Sequence, residues 1–223
     1  MRRKTVSRVH PSRTARKRTS ATAERDEAIV KAALEEFTRH GFAAARMEDI
    51  ARRAAVAKGT IYLRFKDKES LFEAIIRQEI SPLVAAAAGA LGPGESVRAF
   101  MERTLMPLLR DPGRGRRTAV LRLLVAEAAR FPKLAELYFR AIVEPGLKIF
   151  GRLARQAFDQ GELSNSAPVR YPQLLLAPAV LGLLWSGLFE RFHPLDIEAM
   201  LHAHFDQLFR SKRKATQPVT RRP

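Results

Sequence analysis

Apolar residues recur along this chain with helical spacing almost from end to end. In Met47–Ala54 they fall at Met47, Ile50, Ala51 and Ala54, one face of an α-helix. A second short helix fits Lys58–Phe65, with Ile61 and Phe65 four apart on its inner side. Between the two lies Ala55-Val56-Ala57, where two small residues permit a close approach and Val56 plugs the angle. Two short helices joined by a tight turn have the layout of a helix-turn-helix. Upstream, Val30, Leu34 and Phe37 mark a first helix over 24–40, acidic at its start and basic at its end, as the helix dipole prefers. Gly41 ends that helix. Phe42 then joins a small core with Phe37, Met47, Ile50, Val56, Ile61 and Phe65. Asp67 reads as the N-cap of a fourth helix carrying Leu71, Phe72, Ile75, Ile76 and Ile80, which Pro82 kinks or ends.

The remainder is also helical in rhythm. Gly92-Pro93-Gly94 is the clearest internal break. Helices are predicted near 95–110, 116–130 and 133–160, the last bent or split at Pro145-Gly146, then a loop at 164–168 and helices near 171–190 and 195–211. No period-two alternation and no internal repeat is visible, so the fold class is all-α. Leu174–Phe189 holds no charge, but it is shorter than the ~20 residues a spanning helix needs. It is also interrupted by Pro178, Gly182 and Gly187. Being apolar all round, it is expected to be buried on all sides. The last helix carries a broad stripe of Leu195, Leu201, Phe205, Leu208 and Phe209. These two helices suit either the monomer core or packing against a second copy.

Charge changes the picture. The formal net charge is +17, yet residues 1–22 carry eight Lys or Arg and residues 210–223 carry six, neither with any acid. The body between them therefore has a net charge of only +3. Basic tails on a DNA reader raise affinity and encounter rate without adding sequence information; solvated tails with no specific role have the same composition. Residues 1–22 also have the composition of a transit peptide, but Pro11 and the clustered arginines give no amphipathic helix. No apolar stretch follows Arg2-Arg3, and no secretory signal is visible. The absence of cysteine excludes disulfides, thiolate catalysis and Cys-based zinc sites.

The second short helix has an outward face suited to a DNA groove. Lys58 stands at its start, Gly59 leaves room for close approach, and Thr60, Tyr62 and Arg64 offer a hydroxyl with a methyl, a phenol and a guanidinium fork. Arginine is the commonest reader of guanine. Lys66 and Lys68 follow and are placed to hold flanking phosphates. A solvated basic surface explains the same residues more blandly. No Gly-rich phosphate loop, paired-carboxylate motif or Gly-x-Ser-x-Gly is present. His202 and His204, two apart on a helix, point to different faces and read as surface histidines. No enzyme activity, cofactor or metal is expected.

Gly41-Phe42, Met47-Glu-Asp-Ile-Ala51, Val56-Ala-Lys-Gly-Thr-Ile-Tyr62 and Phe65-Lys-Asp-Lys-Glu-Ser-Leu71 together resemble the TetR family of bacterial transcriptional regulators, over about residues 24–76. Several positions depart from the family pattern. Ala45 and Arg46 replace hydroxyl residues, with Arg46 a substitute phosphate contact; Ala55 replaces a turn glycine and is tolerable if its φ is negative; Ala57 replaces a capping Ser; and Arg64 stands where an aromatic or His is common.

The resemblance implies a basic disordered arm (1–22), a helix-turn-helix domain (23–70), a helical effector-binding and dimerisation domain (71–210) and a basic tail (211–223). It implies a cytoplasmic, nucleoid-associated homodimer whose last two long helices form a four-helix bundle with those of the partner. It further implies a repressor on a near-palindromic double-stranded operator, released by a small, apolar effector and not membrane-bound, with the fourth helix carrying ligand state to the head. Aromatic and Met residues in the middle helices, a pattern that is usually core, include what the resemblance makes the expected effector contacts, Phe100, Met101, Tyr138 and Trp185. The alternative is a non-specific or constitutive DNA-binding protein without a ligand.

Overall fold

The computed structural model describes residues 13–110 and 114–210. Among them are α-helices joined by turns and no strand; Leu163 and Phe209 form one isolated antiparallel bridge. The chain divides into two compact units, with the boundary between Ile75 and Ile76.

The first unit is built on α1 (Arg13–Ala44), α2 (Met47–Arg53), α3 (Lys58–Arg64) and α4 (Lys68–Glu79) as far as Ile75. Helix α1 begins at Arg13, well before the expected residue 24, so residues 13–22 are helical backbone and not the disordered arm expected there. Arg, Lys and Ala are good helix formers, and extending an existing helix needs no new nucleus. Residues 1–12 and the tail 211–223 lie outside the described residues. Gly41, at φ 77° and ψ 160°, interrupts α1 in a conformation reserved for glycine. That break returns Phe42 to the core, 5.0 Å from the Phe37 ring and edge-on to Phe72. Phe37, Phe42, Met47, Ile50, Ile61 and Phe65 are all buried, as expected, while Val56 is half-buried. Leu71, Phe72 and Ile75 of α4 are fully buried as well. They account for the unit extending past the expected limit at residue 70.

The N-terminus of α4 is closed by a reciprocal cap. The Ser70 N–H donates to Asp67 Oδ1 at 2.8 Å, and the Asp67 N–H donates back to Ser70 Oγ at 3.2 Å. Helix α4 stops at Glu79, and Pro82 sits in the first turn of α5 (Ser81–Ala87).

The second unit continues with α6 (Val97–Arg110), α7 (Arg114–Glu127), α8 (Pro132–Tyr138), α9 (Glu144–Asp159), α10 (Ala167–Arg170), α11 (Ala177–Leu188) and α12 (Ile197–Leu208). Phe100, Met101, Phe150, Leu153, Leu201 and Phe205 anchor its core. The stretch over 133–160, expected to be bent or split at Pro145-Gly146, is interrupted just before that dipeptide by a wide π-turn at Phe139–Val143. Pro145 then falls in the first turn of α9, where its missing N–H costs least. The helix expected over 171–190 is likewise broken into a 3-10 turn (Pro172–Leu175) and α11, each opened by a proline.

Helix α11 approaches two neighbours through glycines. A Cβ on Gly182 would lie 2.5 Å from Ile197 Cγ2, and one on Gly187 would lie 2.7 Å from Thr118 Cγ2. The expectation that α11 is buried on all sides does not hold within one chain. Val180, Leu181 and Leu188 are 44–52% exposed, and Phe189 and Phe192 beyond them face solvent too. The two glycine contacts cover the faces turned to α12 and α7, and the side carrying Val180, Leu181 and Leu188 stays uncovered.

Candidate nucleic-acid interface

The angle between α2 and α3 is set by backbone hydrogen bonds. At the end of α2 the Ala55 N–H donates to the Arg52 carbonyl at 3.1 Å and the Val56 N–H to the Ala51 carbonyl at 3.0 Å. This pair of bonds is a Schellman closure, which requires a left-handed residue after the cap. Ala55 supplies it with φ 54°, the sole non-glycine residue with positive φ among those described. The turn therefore does not meet the condition of a negative φ. It carries alanine in a conformation that costs an L-residue about 1–2 kcal/mol. Neither Arg46 before α2 nor Ala57 before α3 makes a side-chain cap. That agrees with the loss of hydroxyl residues at positions 46 and 57.

The outward side of α3 is open. A Cβ added at Gly59 would meet nothing within 4 Å. Thr60 is half-buried, and Arg46 and Lys66 are exposed. Tyr62 is 45% exposed, with its hydroxyl donating to Glu48 Oε1 at 3.2 Å. Lys58 Nζ lies 2.9 Å from the same Glu48 oxygen. The lysine holds the Glu48 carboxyl below its usual range, and the carboxylate in turn raises the lysine. Partial burial and Glu48 together push the Tyr62 phenol up.

Besides Lys58, two more expected DNA contacts are engaged within the chain. Arg64 does not present its fork outward: Nε donates to Asp26 Oδ1 at 2.7 Å and Nη2 to Asp26 Oδ2, tying α3 to α1. Lys68 points back to the end of α1, donating to the carbonyls of Phe42 at 2.6 Å and Ala43 at 2.8 Å above the Phe42 ring. Those carbonyls follow the Gly41 break, so an ammonium there satisfies oxygens that a continuous helix would have paired.

One exposed residue escaped the sequence reading. Leu63 is 86% exposed, the highest value among the large exposed apolar side chains. Its signal was available: position 63 is four after Gly59, so both occupy one outward row of α3.

In the second unit, Phe100 and Met101 are 1% exposed and belong to the packed core. Trp185 stacks at 5.0 Å on Phe189 and donates its indole N–H to the His193 carbonyl at 2.8 Å. Burial pushes the Tyr138 phenol up to about 12. None of these four lines either of two open clefts. One, of about 490 Å³, is bounded by Glu36, His40, Arg52 and Arg53; the other, of about 580 Å³, runs along α9 past Lys148, Arg152 and Arg155. His204 is not a surface histidine, because its Nε2 meets the Leu174 carbonyl at 2.7 Å. Among the described residues no group of three or more His, Cys, Asp or Glu is gathered as a metal site, and no helix is long and apolar enough to cross a membrane.

Residues 29–75 match the family model for bacterial regulatory proteins of the tetR family. Residues 96–190 match the model for the C-terminal domain of AefR-like transcriptional repressors. The chain belongs to the TetR family. Among relatives, it is 35% identical over 86 residues to the uncharacterized HTH-type transcriptional regulator YhgD of Bacillus subtilis, covering 39% of this chain and 45% of that one. The match thus spans less than half of that relative's length. It is 29% identical to the HTH-type transcriptional regulator UidR of Escherichia coli, over 70% of this chain and 78% of that one. The structure of NalD from Pseudomonas aeruginosa, described as the secondary repressor of a multidrug efflux pump, shares the fold. Its TM-score is 0.66 and its identity 21%, over 86% of this chain and 98% of NalD.

Proposed function

We propose that this TetR-family chain is a sequence-specific, DNA-binding transcriptional repressor, released from a near-palindromic operator by a small apolar effector. The observation that carries the reading is the α2–turn–α3 unit, held by a Schellman closure, with Gly59, Thr60, Tyr62 and Leu63 along its open side. In such a unit the second helix enters the major groove. Arg46 and Lys66 are the proposed phosphate contacts. A two-fold operator needs a two-fold protein, and the uncovered apolar side of α11 is the proposed surface for a second copy. The first unit is assigned to DNA and the second to effector and dimerisation, in a bacterial cytoplasm at the nucleoid. No catalytic step is assigned.

Anisotropy binding at fixed physiological salt tests this by comparing DNA from upstream of the protein's own gene and of neighbouring genes with shuffled duplexes. A preference of ~10³ or more is expected. An equal affinity for every duplex would instead favour the non-specific reading, for which the fourteen tail charges speak. Repeating the assay without residues 1–12 and 211–223, which carry nine of those charges, separates the two. Trp185 is the chain's single tryptophan, so effector binding near it is read as a shift in intrinsic fluorescence.

A further inference from the structure

The sequence of α3, Lys58-Gly-Thr-Ile-Tyr-Leu-Arg64, contains two cations. Each is paired with a carboxylate from another helix of the first unit. Lys58 lies on Glu48 of α2 at 2.9 Å, and Arg64 is gripped through two nitrogens by Asp26 of α1. Neither pair is forced by burial, since the side chains of Lys58 and Glu48 are 67% and 42% exposed and those of Arg64 and Asp26 are 42% and 31%. Glu48 also takes the Tyr62 hydroxyl, so one carboxylate on α2 fixes two groups on the outward side of the recognition helix.

We propose that Glu48 and Asp26 are specificity-determining positioning residues that withhold Lys58 and Arg64 from random phosphates. The idea rests on the DNA-binding reading above. Any duplex offers phosphate, so a free cation on α3 strengthens binding to every sequence alike. A cation already held by a carboxylate gains little from a passing phosphate, because it must give up one anion to meet another. The carboxylate left behind then faces the polyanion and opposes the complex. Discrimination is a difference of affinities, and weakening the wrong complex raises it as effectively as strengthening the right one. A chain of net charge +17 has strong non-specific attraction to offset. Groups without charge at Gly59, Thr60, Tyr62 and Leu63 are then left to carry the sequence information.

The test uses the full chain with Glu48→Gln, Asp26→Asn and the double variant, each nearly isosteric. Binding to a random duplex is measured across a salt series, and binding to the preferred upstream duplex at one salt. An exposed ion pair constrains its partner by a modest factor, so each substitution should tighten random-duplex binding about two- to fivefold. Each should also steepen the slope of log K against log salt by about 0.9 per released cation. The preference for the upstream duplex should fall accordingly. In a Lys58→Ala background the Glu48→Gln gain on random DNA should shrink to the relief of the carboxylate's own repulsion, and the slope increment of one released cation should be lost, which a purely structural role for Glu48 would not predict. Unchanged random-duplex affinity and slope, in variants that melt like the parent, would overturn the proposal. So would equal weakening on both duplexes, which would make Glu48 and Asp26 supports for base reading. If the parent chain itself shows no preference among duplexes, the functional reading fails; if it discriminates and the variants do not gain random affinity, only this proposal fails.

Discussion

Replacing Ala55 by glycine should stabilise the protein, although glycine substitutions in and around helices ordinarily do the reverse. Ala55 is held at φ 54° by two backbone bonds that close α2. Left-handed geometry brings Cβ against the following carbonyl oxygen and costs an L-residue about 1–2 kcal/mol. Glycine removes that cost but loses more conformational freedom on folding, about 0.5–1 kcal/mol relative to alanine. The difference leaves Ala55→Gly more stable by about 0.5–1 kcal/mol. The methyl group is exposed, so its loss opens no cavity. For a chain of this size that gain raises the melting temperature by about 1–4 °C. Thermal unfolding followed by far-UV circular dichroism, with urea unfolding in parallel, measures it; the urea slope should stay constant while the midpoint moves. Ala54→Gly is the internal control. Ala54 has φ −78° and ψ 0°, an ordinary right-handed cap, so glycine there brings only its entropic cost and should lower stability by about 0.5–1 kcal/mol. If both glycine variants were destabilised alike, the left-handed turn and the strain ascribed to it would be refuted.

Other consequences are independent of that turn. Gly182→Ala gains about 1 kcal/mol of helix propensity, but its Cβ would sit within 3 Å of three Ile197 side-chain atoms. Overpacking of that kind costs about 1–3 kcal/mol, so a net loss is expected in urea unfolding, recovered in part by Ile197→Ala. Lys68→Met should lower stability by about 1–2 kcal/mol, because the Phe42 and Ala43 carbonyls lose a charged donor. Its DNA salt slope should match that of the parent chain, whereas a slope shallower by about 0.9 would restore Lys68 as a phosphate contact. With the Tyr138 phenol raised to about 12, the folded state keeps its proton longer than the unfolded state. Stability from this group is thus complete below pH ~10 and lost as pH climbs toward 12, and Tyr138→Phe should flatten that alkaline limb in a pH series of urea midpoints. Leu63→Ser should weaken binding to the preferred duplex and relax selection at one base pair, measured by competition with single-substituted duplexes, while random-duplex affinity stays put.

The head of the molecule was legible because its signals are local. Spacing of Met47, Ile50 and Ala51, the Gly41 stop and the Asp67 cap each act within one or two turns, and each stands where the sequence placed it. The second unit was legible as helices but not in its joints. Whether Pro145 bends a helix or opens one depends on whether the preceding turn can widen, and that is decided by packing of the flanking elements. The exposure of α11 was hidden for a similar reason: an all-apolar helix says that it must be covered, not by which chain. Among the candidate contacts, the internal pairings of Lys68 and Arg64 were not legible. Their partners, the Phe42 and Ala43 carbonyls and Asp26, lie 25 to 38 residues away, and no helical periodicity reports such a pairing.

Removing those two side chains from the outward set changes what the recognition helix offers. Its layout, its family motif and its cations all pointed to DNA, yet in the folded unit Lys58 and Arg64 both face carboxylates, and Lys68 serves the backbone of α1. What remains along α3 is a glycine with open space above it, a threonine, a phenol and an exposed leucine. A surface of that kind is poor at holding phosphate and well matched to base edges, above all to the thymine methyl, which an apolar side chain recognises and an ammonium does not. On the proposed reading, phosphate attraction falls to groups away from the reading face: Arg46, Lys66 and the basic tails. The proposal thereby assigns the two tasks of a DNA-binding protein, being drawn to any duplex and choosing among duplexes, to different residues. A change in one can be made without disturbing the other.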